Sequence, residues 1–79
     1  MTTVTVRYWA GARAAAGIDH ERVEADSVVA LREAIMREHP AMTSVLDVAS
    51  VLIDGRAVQG DAPLADAETV EILPPFAGG

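Results

Sequence analysis

The sequence predicts an α+β layer in which one main helix packs across one face of a mixed sheet. Three observations carry that expectation. The runs Thr3 to Trp9 and Glu68 to Leu73, near the two ends of the chain, alternate apolar and polar residues at the period of a strand. Between them lies a stretch with Val28, Leu31 and Ile35 on one helical face and Arg32, Glu33 and Arg37 on the other. The order β-β-α-β-(β)-β offers one helix long enough to cover a sheet, so the second sheet face stays uncovered.

Each element has its own signal. Thr3 to Trp9 is rich in β-branched and aromatic residues, which favour a pleated strand. Ala10 to Gly17 is small and alanine-rich and closes on glycine, predicting a turn and one short helical piece. Asp19 to Ala25 is a polar strand suited to a sheet edge. Ser27 is an N-cap for a helix running to about Glu38. His39-Pro40 ends that helix, because a residue before proline avoids helical dihedrals. Ala41 to Leu46 carries no clear signal and is read as a connector. Val48 to Ile53 is expected to be a buried strand, turned at Asp54-Gly55 into a short return through Ala57-Val58. Pro63 to Asp66 is a loop leading into the final strand.

Alternation sorts the side chains between the two faces. Val4, Val6, Tyr8, Val70 and Ile72 share the parity of a helix-covered face. Trp9, Leu73 and Leu52 fall on the opposite face among polar residues. An uncovered face should be polar, so contiguous apolar residues there predict a binding surface. Trp9 is its expected anchor, since aromatic side chains dominate interface hot spots.

Seventy-nine residues predict one domain spanning 1–79, without repeat or linker. At 51% apolar, the chain is hydrophobic enough to fold. No apolar run reaches the roughly 18 residues needed to cross a bilayer. The first residues lack the basic start and apolar core of a signal peptide, so a cytoplasmic location is expected. There is no cysteine, hence no disulfide and no thiolate metal site. A formal charge of −6 disfavours nucleic acid and anionic membranes and favours a partner with a basic docking surface. All six cationic residues are arginine, so no ε-amine is available for acylation.

Residues 74–79 read as an extended, flexible tail, Pro74-Pro75-Phe76-Ala77-Gly78-Gly79. The proline pair cannot continue a sheet ladder and stiffens the chain. Gly78 and Gly79 have no Cβ and suit a narrow channel. This combination fits a chain whose terminal carboxylate is the reacting group. Other chemistry is sparse. His20 and His39 read as surface groups, and Asp66 and Glu68 as solvated turn residues. No nucleophile triad, phosphate loop or metal-ligand spacing is present in the sequence. The domain is therefore expected to catalyse nothing alone and to hold no metal.

The opening Val4-x-Val6-Arg7-Tyr8-Trp9-Ala10-x-x-Arg13-x-x-x-Gly17 resembles the molybdopterin synthase small-subunit family. So do Val28-x-x-Leu31 ahead of His39-Pro40, and Leu64-x-Asp66-x-x-x-Val70-x-x-Leu73-Pro74-Pro75-x-x-Gly78-Gly79. The resemblance covers nearly the whole chain and extends to the wider bacterial ubiquitin-like sulfur carriers. Ala67 stands where the family often has a turn glycine.

The resemblance implies a ubiquitin-like β-grasp fold and a carrier cycle. In that family an adenylating enzyme of the ubiquitin-activating type uses ATP and magnesium to activate the C-terminal carboxylate. A sulfurtransferase then replaces AMP by sulfur, leaving a terminal thiocarboxylate. The large catalytic subunit, in a heterotetramer, takes the tail and receives its sulfur for cyclic pyranopterin monophosphate. By this resemblance Gly79 would carry the acyl group and Gly78 would be its slim spacer. Phe76 and Ala77 would guide the tail, and Trp9, Leu52 and Leu73 would form the docking patch. Arg13 matches a position that pairs with acidic groups of the activating enzyme. No stably bound cofactor is implied. Two other readings stay open: a sulfur carrier for thiamine or cysteine biosynthesis, and a ubiquitin-like modifier or adaptor that carries no sulfur.

Overall fold

In the computed structural model, which describes residues 2–75, the chain runs β1 (Thr3–Tyr8), α1 (Gly11–Ala16), β2 (His20–Glu24), α2 (Val28–Glu38), α3 (Met42–Val48), β3 (Ser50–Ile53), β4 (Arg56–Val58), β5 (Thr69–Leu73). The five strands form one mixed sheet in the order β2-β1-β5-β3-β4. β1 and β5 are parallel neighbours with Val6 opposite Val70, and all other pairings are antiparallel. The expected β-grasp arrangement is present, with the two terminal strands together and β5 at the centre.

The core lies between this sheet and the helices. Val4, Val6, Tyr8, Val70 and Ile72 meet Leu31 and Ile35 of α2, and all are buried. Burying each large apolar side chain is worth about 1.5–3 kcal/mol. Ser27 Oγ caps α2 by accepting from the Ala30 N–H at 3.2 Å. Asp61 Oδ1 takes the Val29 N–H at 2.9 Å, and the Ala62 carbonyl takes that of Val28. Three otherwise unpaired donors at the helix start are thus satisfied by the cap residue Ser27 and by the loop carrying Asp61 and Ala62, far downstream in the chain.

Several expectations need correction. Ala41 to Leu46 is no plain connector, because it lies largely within α3, whose Met42 and Leu46 are buried. Apolar residues at 42, 45, 46 and 49 supply a helical stripe too short to stand out from the sequence. Val48 ends α3 and is exposed rather than opening a strand, and β3 starts at Ser50. The loop before β5 places its left-handed residue at Asp66 (φ 67°), so Ala67 needs no positive φ. Ala67 instead packs against the core. The Asp54-Gly55 hairpin turn is as expected, with positive φ at both residues (48° and 86°). The Asp54 carboxylate also accepts from the N–H groups of Glu68 and Thr69, tying the hairpin to the start of β5.

His39 is not a free surface group. Its Nε2 lies 2.7 Å from Glu21 Oε2, and the Tyr8 hydroxyl donates to the same oxygen at 2.6 Å. The Tyr8 and His39 rings meet edge-on with centroids 6.1 Å apart. The group joins β1, β2 and the end of α2. Burial, then the hydrogen bond to Glu21 and its charge, push the Tyr8 phenol well above its ordinary value. A phenol with a raised folded-state pKa stabilises the fold fully below its unfolded value of about 10, and that contribution is lost as pH rises through the folded value. The chain has one tyrosine and neither lysine nor cysteine, so Tyr8 is the one side chain titrating in that range. Tyr8→Phe should lower unfolding free energy at neutral pH by about 1 kcal/mol. It should also flatten the fall in stability above about pH 10. Urea unfolding of both proteins across the alkaline range measures this, and identical alkaline slopes would refute it. Among the described residues no helix is long and apolar enough to cross a membrane.

Candidate functional site

The uncovered sheet face is built by strand alternation. Opposite pairs place Ser50 beside Leu73, Leu52 beside Glu71, and Glu71 beside Arg7. The Trp9 N–H donates to the Ile72 carbonyl at 3.2 Å, continuing the β1–β5 pairing by one residue. Trp9, Leu73 and Leu52 therefore share this face, as the alternation predicts. Leu52 and Leu73 are half-buried, whereas Trp9 is 39% exposed.

The Trp9 ring is held in place. Its Nε1–H donates to Glu71 Oε2 at 2.9 Å, and the Arg7 guanidinium lies 5.9 Å from its ring centroid. Glu71 and Arg7 thus orient an exposed indole that would otherwise sample several rotamers. The sequence alone does not mark either as a site residue. Their parity, shared with Leu73 and Trp9, was the available signal. Behind Trp9 the chain turns sharply at Ala10, which has the positive φ of 48° that usually favours glycine. Gly17, at φ 80°, closes α1 and its N–H donates to the Arg13 carbonyl.

Arg13 stands on α1, where its guanidinium contacts Asp19 at 3.3 Å with both side chains exposed. An exposed pair of this kind is worth little and exchanges readily for another acidic partner. With Arg7, Tyr8, Trp9, Asp19 and His20, Arg13 lines a shallow groove at the margin of the uncovered face. The structure thus brings Arg13 close to the Trp9 patch. Among the described residues no group of three or more His, Cys, Asp or Glu is placed to hold a metal ion.

β5 leads directly toward the tail. Pro74 is buried against the body and Pro75 is exposed. Phe76, Ala77, Gly78 and Gly79 lie outside the described residues. The last described residues therefore leave the centre of the sheet, next to Trp9 and Leu73.

The ThiS family model matches residues 6–79. No curated protein matches the chain closely in sequence. Among solved structures, a Pyrococcus furiosus protein described as molybdopterin converting factor subunit 1 is 30% identical, with a TM-score of 0.82, covering 96% of this chain and 100% of its own. The small archaeal modifier protein 1 of Haloferax volcanii is 25% identical, with a TM-score of 0.83, covering 99% and 100%. A complex of subunits 1 and 2 of the molybdopterin-converting factor from Helicobacter pylori has a chain 24% identical, with a TM-score of 0.74, over 99% and 100%, a likeness of fold. On the strength of the match over residues 6–79, the chain belongs to the ThiS family.

Proposed function

We propose that this chain is the sulfur-carrier subunit of a molybdopterin synthase, with Gly79 as the acyl carrier. A carboxylate ionised at neutral pH is a poor electrophile, so the cycle begins with its adenylation by an activating enzyme that uses ATP and magnesium. Sulfur delivered by a sulfurtransferase displaces AMP and leaves a thiocarboxylate. The large subunit then binds the uncovered face and admits the tail to its own active site. There the sulfur passes to cyclic pyranopterin monophosphate and water returns the tail to its carboxylate, so that two such deliveries build the dithiolene. Phe76 and Ala77 guide the tail, Gly78 keeps it slim, and Trp9, Leu52 and Leu73 supply the apolar contact. Arg13 serves the activating enzyme by exchanging Asp19 for an acidic group on that partner. The setting is the cytoplasm, and this chain holds no cofactor of its own.

The observation that carries this reading is the position of the tail base. The central strand β5 ends at Leu73 beside an indole fixed by Glu71 and Arg7, and buried Pro74 starts the tail there. A partner seated on that face therefore lies next to the base of the tail that ends in the diglycine. The similarity to the Pyrococcus protein supports the molybdopterin assignment in particular.

A second reading, a ubiquitin-like protein modifier, is favoured by the similarity to the Haloferax modifier protein. A carrier for thiamine or cysteine biosynthesis would share the tail chemistry with another acceptor. Single-turnover mixing of the thiocarboxylated chain with the large subunit and cyclic pyranopterin monophosphate tests the acceptor. Formation of the dithiolene product is expected. Unchanged precursor in the presence of a competent large subunit would overturn the assignment.

A further inference from the structure

β2 is the outermost strand on its side of the sheet. The Tyr8 N–H donates to the Asp19 carbonyl, and the Ala25 N–H to the Thr2 carbonyl. By the two-residue alternation of an antiparallel ladder, Glu21 and Val23 direct their main-chain groups to β1. Those of His20, Arg22 and Glu24 face outward, available to another strand. The side chains of these three residues lie on the uncovered face, opposite Arg7, Thr5 and Thr3, and are exposed.

Natural sheets commonly protect such an edge with charge. Here the charges are sorted along the strand, with basic Arg22 followed two residues later by acidic Glu24. An antiparallel strand that complements this order must carry acid opposite Arg22 and base opposite Glu24. The same segment, reversed about Val23, meets that requirement. We propose that two copies of this chain pair antiparallel along β2, with Val23 on the two-fold axis and Arg22 opposite Glu24 of the second copy on both sides.

Other in-phase registers are worse. An axis at Arg22 sets two guanidinium groups against each other, and one at Glu21 sets two carboxylates together and Arg22 against His20. Cross-strand pairs of opposite charge are favourable and like pairs unfavourable. With Val23 on the axis, the outward N–H and C=O groups of Arg22 and Glu24 also bond each other across the junction. Val23, half-buried on the helix side, gains its own counterpart as an apolar neighbour. β1 separates β2 from β5, so the base of the tail is not covered. The strand is only five residues long. The contact therefore belongs to the small, weak class of interfaces, and its charge pairs make it salt-sensitive.

Sedimentation equilibrium of the full chain, from about 10 µM to about 1 mM at low salt, reads this association. The native chain should dimerise toward the upper end, and added salt should weaken it. Arg22→Glu and Glu24→Arg each replace attraction by repulsion and should dimerise at least about tenfold more weakly. Mixed in equal amounts they should form a heterodimer, because one then presents acid at both positions and the other base. Circular dichroism checks that both variants are folded. For the native chain alone, amide chemical shifts should change on dilution around residues 20–25. A native chain that stays monomeric, a mixture that does not associate, or dilution shifts confined to the Trp9 face would overturn the proposal.

Discussion

Removing Gly79 should reduce sulfur transfer by at least about a hundredfold while leaving melting temperature and affinity for the large subunit nearly unchanged. Among the described residues the chain is buried as far as Pro74, and Gly79 has no side chain to bury. The deletion withdraws the carboxylate by up to about 3.6 Å. Misplacement near 1 Å already costs about a hundredfold in rate when the reacting groups must align. Gly78→Val should act similarly, since a β-branched side chain widens the tail and disfavours any positive φ. Single-turnover conversion of the pterin precursor measures both variants. A truncated chain that is adenylated and yields dithiolene at the normal rate would remove the diglycine from the mechanism.

Trp9→Ala and Leu73→Glu should each weaken binding of the large subunit by about 2 kcal/mol or more, roughly thirtyfold. Trp9 is the exposed aromatic of the uncovered face, and the Glu71 hydrogen bond and Arg7 guanidinium already fix its ring. Little rotamer entropy is then lost when a partner covers it. Leu73→Glu replaces an apolar contact by a further carboxylate on the face that carries Glu71, at the base of the tail. Calorimetric titration, with circular dichroism as a folding control, reads both effects. Unchanged affinity in folded variants would move the interface elsewhere.

Much of this was legible from residue patterns. Matching parity in Thr3–Tyr8 and Thr69–Leu73 implied two strands sharing a helix-covered face, and Trp9, Leu52 and Leu73 follow from the same alternation. Ser27 and Pro40 bounded α2 because capping and proline sterics act locally. What stayed hidden depends on contacts distant in sequence. α3 is short, and its stripe becomes persuasive only when α1 and α2 lie against it. His39, at the end of α2, reads as solvated because its partners Tyr8 and Glu21 reach it from β1 and β2. Glu71 reads as an ordinary polar residue until the Trp9 indole crosses from the neighbouring strand.

Whether the terminal carboxylate carries sulfur can be read by intact-protein mass spectrometry of the chain taken from its native cell. A population is expected in which one oxygen at Gly79 is replaced by sulfur, with the fragment ions placing the change on the last residue. A chain found only as the carboxylate or joined through Gly79 to amines of other proteins, under conditions where molybdopterin is being made, would contradict it.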